Sequence, residues 1–235
     1  MARVDVISIG TLDRNRLWNE TTAVRTAHST TSLIRVTAGG KAEQLVLVDP
    51  GLPAVALVAR LAERTGLAPQ QVRTVFLTNF THAHRGGLEA FPHAELLMWE
   101  PEIDHARRML EEEAERRRSA GDLEDDAIDA QLEQDLALLD RVTPAPDRLA
   151  PGVDLFPLPG HTPGTAGLLV TSPTLTTLIA GDAVPTLDHF LAGQVLPDAF
   201  DIRQAQESMS EAYEIADLVI PGHDNVFPNP RAHGM

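Results

Sequence analysis

Four apolar runs of this chain each end in a cluster that combines Gly or Pro with a histidine or an aspartate. The runs and their clusters occupy residues 77–87, 158–164, 178–182 and 219–224. Apolar runs of this kind are typical of strands that are covered on both faces, and such strands hold the residues at their ends rigidly. Side chains that are distant in sequence can then converge on one cleft. The residues that this pattern predicts to share a site are His84, His161, Asp182 and His223.

The remaining apolar patterns predict a mixture of strands and helices. Strands are expected near residues 4–8, 33–36, 44–48, 74–78, 94–98, 153–156, 166–171, 175–180 and 218–220, and helices near 55–65, 101–119, 123–139 and 202–216. Because two strand-rich halves each carry helices, we expect an α+β sandwich of two packed β-sheets flanked by helices. A single domain over residues 1–235 suits a chain of this length.

The segment at about residues 101–141 is predicted to be a helical hairpin inserted into this sandwich. Gly121 and Asp122 separate its two helices and have the residue types of a C′ glycine and an N-cap. The role of the hairpin stays open between a lid, a dimer surface and a covering insertion. A homodimer is therefore one expectation.

Composition limits the chemistry that this chain can carry. The chain has no cysteine, so any metal must be held by imidazole and carboxylate groups. Its formal net charge of −15 repels phosphate backbones, and this argues against a nucleic-acid partner. No apolar stretch approaches about 18 residues and no signal peptide is apparent at Met1, so we expect a cytoplasmic protein that does not bind membranes. The expected partner is a small-molecule substrate or ligand.

The ordered combination of these segments resembles the metallo-β-lactamase superfamily. The resemblance runs from residues 45–51 to residues 221–223 and covers nearly the whole chain except the hairpin. Within the superfamily, the chain is most similar to the metallo-β-lactamase-domain-containing protein 1 group. That narrower likeness rests on residues 66–69, 77–78, 86–88, 91–92 and 216–223. The resemblance implies the metallo-β-lactamase fold, with the helical hairpin as an insertion.

The metal-binding motif of the family is degenerate in this chain. The family pattern is His-x-His-x-Asp-His followed by x-Gly-Gly. Aligned without gaps, Asn79 and Thr81 replace the two early histidines, and Ala83 replaces the aspartate. His84 matches the last histidine, with the two glycines at 86–87 in register.

The family's ligand sets imply how the replacement of these three residues weakens metal binding. The first metal uses the two early histidines and the counterpart of His161, the second uses the early aspartate and the counterparts of His84 and His223, and the counterpart of Asp182 bridges them. Amide and hydroxyl oxygens are poor zinc ligands, so we expect the first position to be empty or very weak. The second can hold one divalent ion through His84, Asp182 and His223, with His161 available as a fourth ligand. Zinc is the expected metal, iron and manganese are alternatives, and the ligand count also leaves open that no metal binds.

A second alignment changes one ligand. Residues 81–84, Thr-His-Ala-His, also match the opening Thr-His-x-His of the motif if three residues are deleted before the glycine pair. His82 would then pair with His84, so His82 is a secondary ligand candidate. We favour the ungapped alignment because the deletion would move a tightly fixed loop. In either case Asp49 is expected to fix a loop next to the ligands by hydrogen bonding, and His28 and His189 are candidates for the rim of the cleft.

The resemblance implies hydrolysis of an ester, lactone, thioester or phosphodiester through a metal-bound water. A bound cation lowers the pKa of its water and polarises the oxygen of the scissile group. Asp182 is the expected proton acceptor, and His84 and Asp182 form the predicted catalytic pair. The main alternative is a catalytically inactive pseudoenzyme that binds a small ligand or a protein partner without metal. Iron-dependent oxygenation, as in the persulfide dioxygenase branch, ranks last because Asn79 replaces the first motif histidine, and the net charge argues against a nuclease.

Overall fold

The fold consists of two six-stranded sheets, one from each half of the chain. The structure is a computed structural model and describes residues 1–37, 39, 42–120 and 126–233. The first sheet has the order β1-β2-β3-β4-β5-β6, where the strands are β1 (Ala2–Ser8), β2 (Thr31–Val36), β3 (Gln44–Val48), β4 (Thr74–Phe76), β5 (Glu95–Met98) and β6 (Val142–Pro144). Strands β1 to β3 are antiparallel, and β3 to β6 are parallel.

The second sheet is antiparallel except at one pair. Its order is β12-β11-β10-β9-β8-β7, where the strands are β7 (Arg148–Ala150), β8 (Val153–Pro157), β9 (Ala166–Ser172), β10 (Leu175–Gly181), β11 (Leu218–Pro221) and β12 (Phe227–Pro228). Only β10 and β11 run parallel within this sheet. Their carboxyl ends therefore point to one edge of the sheet, where Asp182 and His223 follow.

The described part of the chain contains six α-helices. They are α1 (Ala54–Thr65), α2 (His82–Arg85), α3 (Glu100–Ala120), α4 (Asp126–Leu139), α5 (Leu187–Ala192) and α6 (Ile202–Ile215). Helix α1 buries Leu57 and Leu61 and ends at Gly66, which adopts a left-handed conformation with φ of 70°. None of the helices in the described part of the chain combines the length and the apolar character that are needed to cross a bilayer.

Three apolar clusters hold these layers together. The middle cluster takes buried side chains from both sheets, among them Val46 and Val48 from β3 and Leu168 and Ile179 from the facing strands. A second cluster lies between the first sheet and helices α1 and α3, and a third lies between the second sheet and helix α6. This arrangement confirms the predicted sandwich of two sheets flanked by helices.

The helical hairpin forms as predicted, whereas one strand is shorter than predicted. Helices α3 and α4 form the predicted hairpin, whereas Gly121 and Asp122 lie outside the described residues. The strand expected over residues 74–78 ends at Phe76, because the N–H of Thr78 turns to the Asp49 side chain at 2.8 Å. The short elements β6, β7, β12, α2 and α5 were not predicted.

Candidate metal centre

Asp182 lies at the centre of the predicted site and is contacted by three imidazoles. It directly follows β10 and is 4% exposed. Its Oδ2 lies 3.0 Å from His84 Nε2 and 3.3 Å from His161 Nε2, and its Oδ1 lies 3.0 Å from His223 Nε2. All four predicted residues therefore meet, although they come from separate segments: α2, the loop after β8, the end of β10 and the loop after β11.

Three of these side chains have the geometry of a shared ion site. One ligand atom each from His84, Asp182 and His223 lies within 4.8 Å of the other two, and all three residues are buried. His161 contacts Asp182 but is not part of this group. Two imidazole nitrogens and one carboxylate oxygen form a donor set that zinc accepts in catalytic sites.

The backbone fixes the tautomer of His223. Its Nδ1 lies 3.1 Å from the carbonyl oxygen of Thr11 and 3.0 Å from that of His28. Both groups only accept hydrogen bonds, so Nδ1 carries the proton and donates it. In the neutral imidazole the lone pair is then on Nε2, which faces Asp182.

Asp49 fixes His84 in the same way. Its Oδ2 lies 2.9 Å from His84 Nδ1 and accepts the hydroxyl of Thr78 at 2.7 Å, while its Oδ1 accepts the backbone N–H of Thr78 at 2.8 Å. His84 Nδ1 therefore donates to Asp49, and the Nε2 lone pair of the neutral ring is directed at Asp182. The sequence predicted that Asp49 fixes a loop by hydrogen bonding, and its bonds to Thr78 fit that expectation. Its contact with His84 was not predicted, and it orients this side chain as outer residues of metal sites commonly do.

Two lone pairs directed at one carboxylate require a cation between them. Without a metal, a proton supplies that charge: burial disfavours the imidazolium, but the carboxylates of Asp182 and Asp49 outweigh it and raise the pKa of His84. Burial also acts against ionised Asp182, yet the surrounding imidazoles hold the pKa of its carboxyl well below its usual value. Asp182 Oδ1 makes no hydrogen bond of acceptable geometry to any described residue, although His223 Nε2 lies near it. The cluster is therefore built to hold positive charge.

The three degenerate motif positions offer no replacement ligands. The Oδ1 of Asn79 accepts the backbone N–H of Thr81 at 2.9 Å and its hydroxyl at 2.7 Å, which turns the amide nitrogen toward Asp182 Oδ2 at 2.9 Å. Asn79 thus presents a donor where the family has a metal ligand. Ala83 has no polar side-chain atom, and its carbonyl accepts the N–H of Ser29 at 2.8 Å.

The other histidines that the sequence singled out lie around this cluster. His82 is exposed on α2 and is not part of the group of ligand atoms. His28 is half-buried and contributes its backbone carbonyl to His223. His189 is buried and lines a cavity of about 130 Å³ together with Arg14 and Arg16. Leu12 in its wall directly follows Thr11, whose carbonyl accepts a hydrogen bond from His223, but none of the four cluster residues lines this cavity.

Glu102 is a buried residue that the sequence did not reveal. It belongs to the first turn of α3 and is 2% exposed. Burial raises the pKa of its carboxyl to about 7, against hydrogen bonds from Thr162 and Phe80 that lower it. Its neighbours along the helix are also acidic, so only the packing of α3 against the site distinguishes it.

Comparison with known proteins places this site in a family. The model of the metallo-beta-lactamase superfamily matches residues 25–223. No curated protein matches the chain significantly. The family match spans all four residues of the cluster, from His84 to His223.

Solved structures share the fold at low sequence identity. A candidate metallo-beta-lactamase from Thermotoga maritima superposes with a TM-score of 0.67 at 14% identity, covering 97% of this chain and 99% of that one. AidC, a dizinc quorum-quenching lactonase, superposes with a TM-score of 0.61 at 16% identity over 83% of this chain and 72% of its own. AiiA of B. thuringiensis, with N-decanoyl-L-homoserine bound at its active site, gives 0.62 at 18% identity over 95% and 92%. At these identities the likeness establishes the fold alone.

Proposed function

Because the chain belongs to the metallo-β-lactamase superfamily, we propose that it is a hydrolase with a single divalent metal ion, held by His84, Asp182 and His223. The observation that carries this proposal is the convergence of two imidazole lone pairs on one buried carboxylate. Their tautomers are fixed by Asp49 and by the Thr11 and His28 carbonyls. Histidine ligands of metal ions almost always donate their other ring N–H in this way, and this pattern supports metal binding at the cluster.

The donor set fits one ion and not two. The family's first ion would need ligands at positions 79 and 81, where an amide nitrogen and a hydroxyl that is already hydrogen-bonded lie instead. A donor N–H directed at Asp182 repels a cation at that position. Zinc is the metal that we propose, since nitrogen and carboxylate ligands suit it, and iron and manganese are alternatives.

The chemistry that we propose is hydrolysis of an ester, lactone, thioester or phosphodiester in a small-molecule substrate. A divalent ion at this site would polarise the oxygen of the scissile group and make water more acidic. Asp182 borders this ion site, so by its position we propose its carboxylate as the proton acceptor.

One observation favours a different class of function. Asn79 already donates to Asp182, and a proton on His84 satisfies the same carboxylate, so the cluster is also stable without metal. A pseudoenzyme that binds a small ligand or a protein partner would keep this arrangement. Metal content separates the two functions.

Elemental analysis of protein purified without chelator tests the proposal. We expect about one zinc, iron or manganese per chain, and we expect the His84→Ala and Asp182→Ala variants to lose it. His82→Ala is the matched control, because His82 lies on the same short helix as His84 but is exposed. Less than about a tenth of an ion per chain after incubation with each metal would leave the inactive ligand binder as the function.

Turnover tests the hydrolytic part separately. A panel of generic esters, lactones, thioesters and phosphodiesters should include a substrate that the wild type hydrolyses. His84→Ala and Asp182→Ala should abolish that activity, and His82→Ala should retain it. Equal rates in all four proteins would assign the activity to a contaminant or to another site.

A further inference from the structure

The inserted hairpin holds the loop that carries the degenerate motif at one residue, Phe80. Glu102 of α3 accepts the backbone N–H of Phe80 at 2.8 Å. On the other side, Arg85 donates from Nε to the Phe80 carbonyl at 2.9 Å. Arg85 is itself held by Asp135 of α4 through two hydrogen bonds of 2.8 Å. Both polar backbone groups of Phe80 are therefore bound by side chains that the hairpin supplies or anchors, and we call Glu102, Arg85 and Asp135 the clamp.

Glu102 also reaches a second loop of the site. Its Oε2 accepts the hydroxyl of Thr162 at 2.5 Å, and Thr162 follows His161 directly. One carboxyl group thus connects the loop before His84 with the loop that carries His161. The approach of α3 is close: a side chain at Gly164 would lie 2.0 Å from the backbone nitrogen of Glu102.

The clamp is largely removed from water. Glu102 is 2% exposed, and the side chains of Arg85 and Asp135 are 8% and 13% exposed. Exposed ion pairs contribute little, whereas breaking a buried, hydrogen-bonded pair leaves a polar group without a partner. The clamp contacts the loop directly, while the outer parts of α3 and α4 contact each other.

We propose that the clamp is a positioning device for the metal site, so that metal affinity depends on the inserted hairpin. This inference rests on the proposed function. Phe80 lies between Asn79 and the short helix that carries His84, so release of its backbone lets the ligand shift relative to Asp182. Loss of groups that orient metal ligands commonly lowers metal affinity about 10- to 100-fold.

Two conservative substitutions release the clamp from opposite sides. Glu102→Gln keeps the shape of the side chain but has only one oxygen, so it cannot accept from both Phe80 N–H and the Thr162 hydroxyl as the two carboxylate oxygens do. Asp135→Asn removes the charge that holds Arg85 and leaves Glu102 intact. The matched control is Glu111→Gln, an exposed glutamate on the same helix α3.

The experiment measures the Zn²⁺ dissociation constant at pH 7.5 by competition with a chromophoric chelator. We expect Glu102→Gln and Asp135→Asn each to bind zinc at least about tenfold more weakly than the wild type, and Glu111→Gln to bind within about twofold. Glu102→Asp, which retains the carboxylate, should recover part of the loss. Melting curves of the metal-free variants accompany each measurement, so that lost affinity is compared only between folded proteins.

The results distinguish a failure of the positioning role from a failure of the proposed function. Wild-type affinity in both folded clamp variants would overturn the positioning role while leaving the metal site in place. Absence of zinc binding in the wild type would overturn the proposed function itself. If Glu102→Gln fails to fold, Asp135→Asn decides, since it lies farther from the core.

Discussion

Replacing Asp49 with asparagine should weaken metal binding by changing the tautomer of His84. Three donors converge on the two carboxylate oxygens of Asp49: the N–H and the hydroxyl of Thr78, and His84 Nδ1. Asparagine has only one oxygen, so its N–H₂ group must replace the other. The backbone tolerates the change, because Asp49 has a φ of 50° and asparagine adopts that conformation readily.

The structure sets the size of the effect. If the amide oxygen keeps the Thr78 N–H, the N–H₂ group faces His84 Nδ1 and moves the imidazole proton to Nε2, the atom that should bind the metal. For Nε2 to bind the metal, the proton must return to Nδ1, where it then faces the N–H₂ group of asparagine. Two buried donors that face each other cost about 1–3 kcal/mol. This corresponds to a loss of metal affinity between roughly 5-fold and 150-fold, at about 1.4 kcal/mol per tenfold change.

A competition titration with Zn²⁺ measures this loss directly. Asp147→Asn is the matched control, because Asp147 is exposed and takes part in no ion pair among the described residues. We expect the control to bind as the wild type does. An Asp49→Asn variant that binds zinc with wild-type affinity would refute the tautomer argument and the orienting role of Asp49.

Three further perturbations test other parts of the account. The triple variant Asn79→His, Thr81→His, Ala83→Asp restores the family's ligand pattern and should raise metal content from about one ion per chain to about two by elemental analysis. Because burial raises the pKa of Glu102 from 4.5 to about 7, stability that is present below pH 4.5 is lost as the pH rises through 7. Urea unfolding should show that the free energy of unfolding of the metal-free wild type falls by about 3 kcal/mol relative to that of Glu102→Gln across that pH range. Parallel pH profiles of the two proteins would contradict this. Gly160→Ala should lower the free energy of unfolding by at least about 3 kcal/mol, since Gly160 has a φ of 133° and its added Cβ would lie 2.1 Å from the Ala205 nitrogen; an unchanged melting temperature would show that the loop adapts.

Sequence alone predicted the fold and the meeting of four side chains for one physical reason. Buried strands require continuous apolar runs, and the loops that end them require Gly, Pro and polar residues. Both features can therefore be recognised in short stretches of the sequence. Strand β10, for example, ends in Gly181 and delivers Asp182 in the predicted place. The structure also places His84 in the cluster and His82 at the surface, as the ungapped alignment expects.

The features that tune the site depend on tertiary contacts and leave no local pattern. Glu102 lies on a helix rich in acidic residues, and only the close packing of α3 against the loops makes it a buried acceptor. The tautomer of His223 depends on two backbone carbonyls far away in sequence. The short strands β6, β7 and β12 contain too few residues for a periodicity to be recognised.

Anomalous diffraction from crystals soaked in zinc locates any ion at the cluster. We predict one strong peak, within coordination distance of His84 Nε2, His223 Nε2 and a carboxylate oxygen of Asp182, and no peak beside Asn79. Two peaks of similar height would contradict the one-ion site. Absence of any peak at this cluster would contradict the metal-dependent function as a whole.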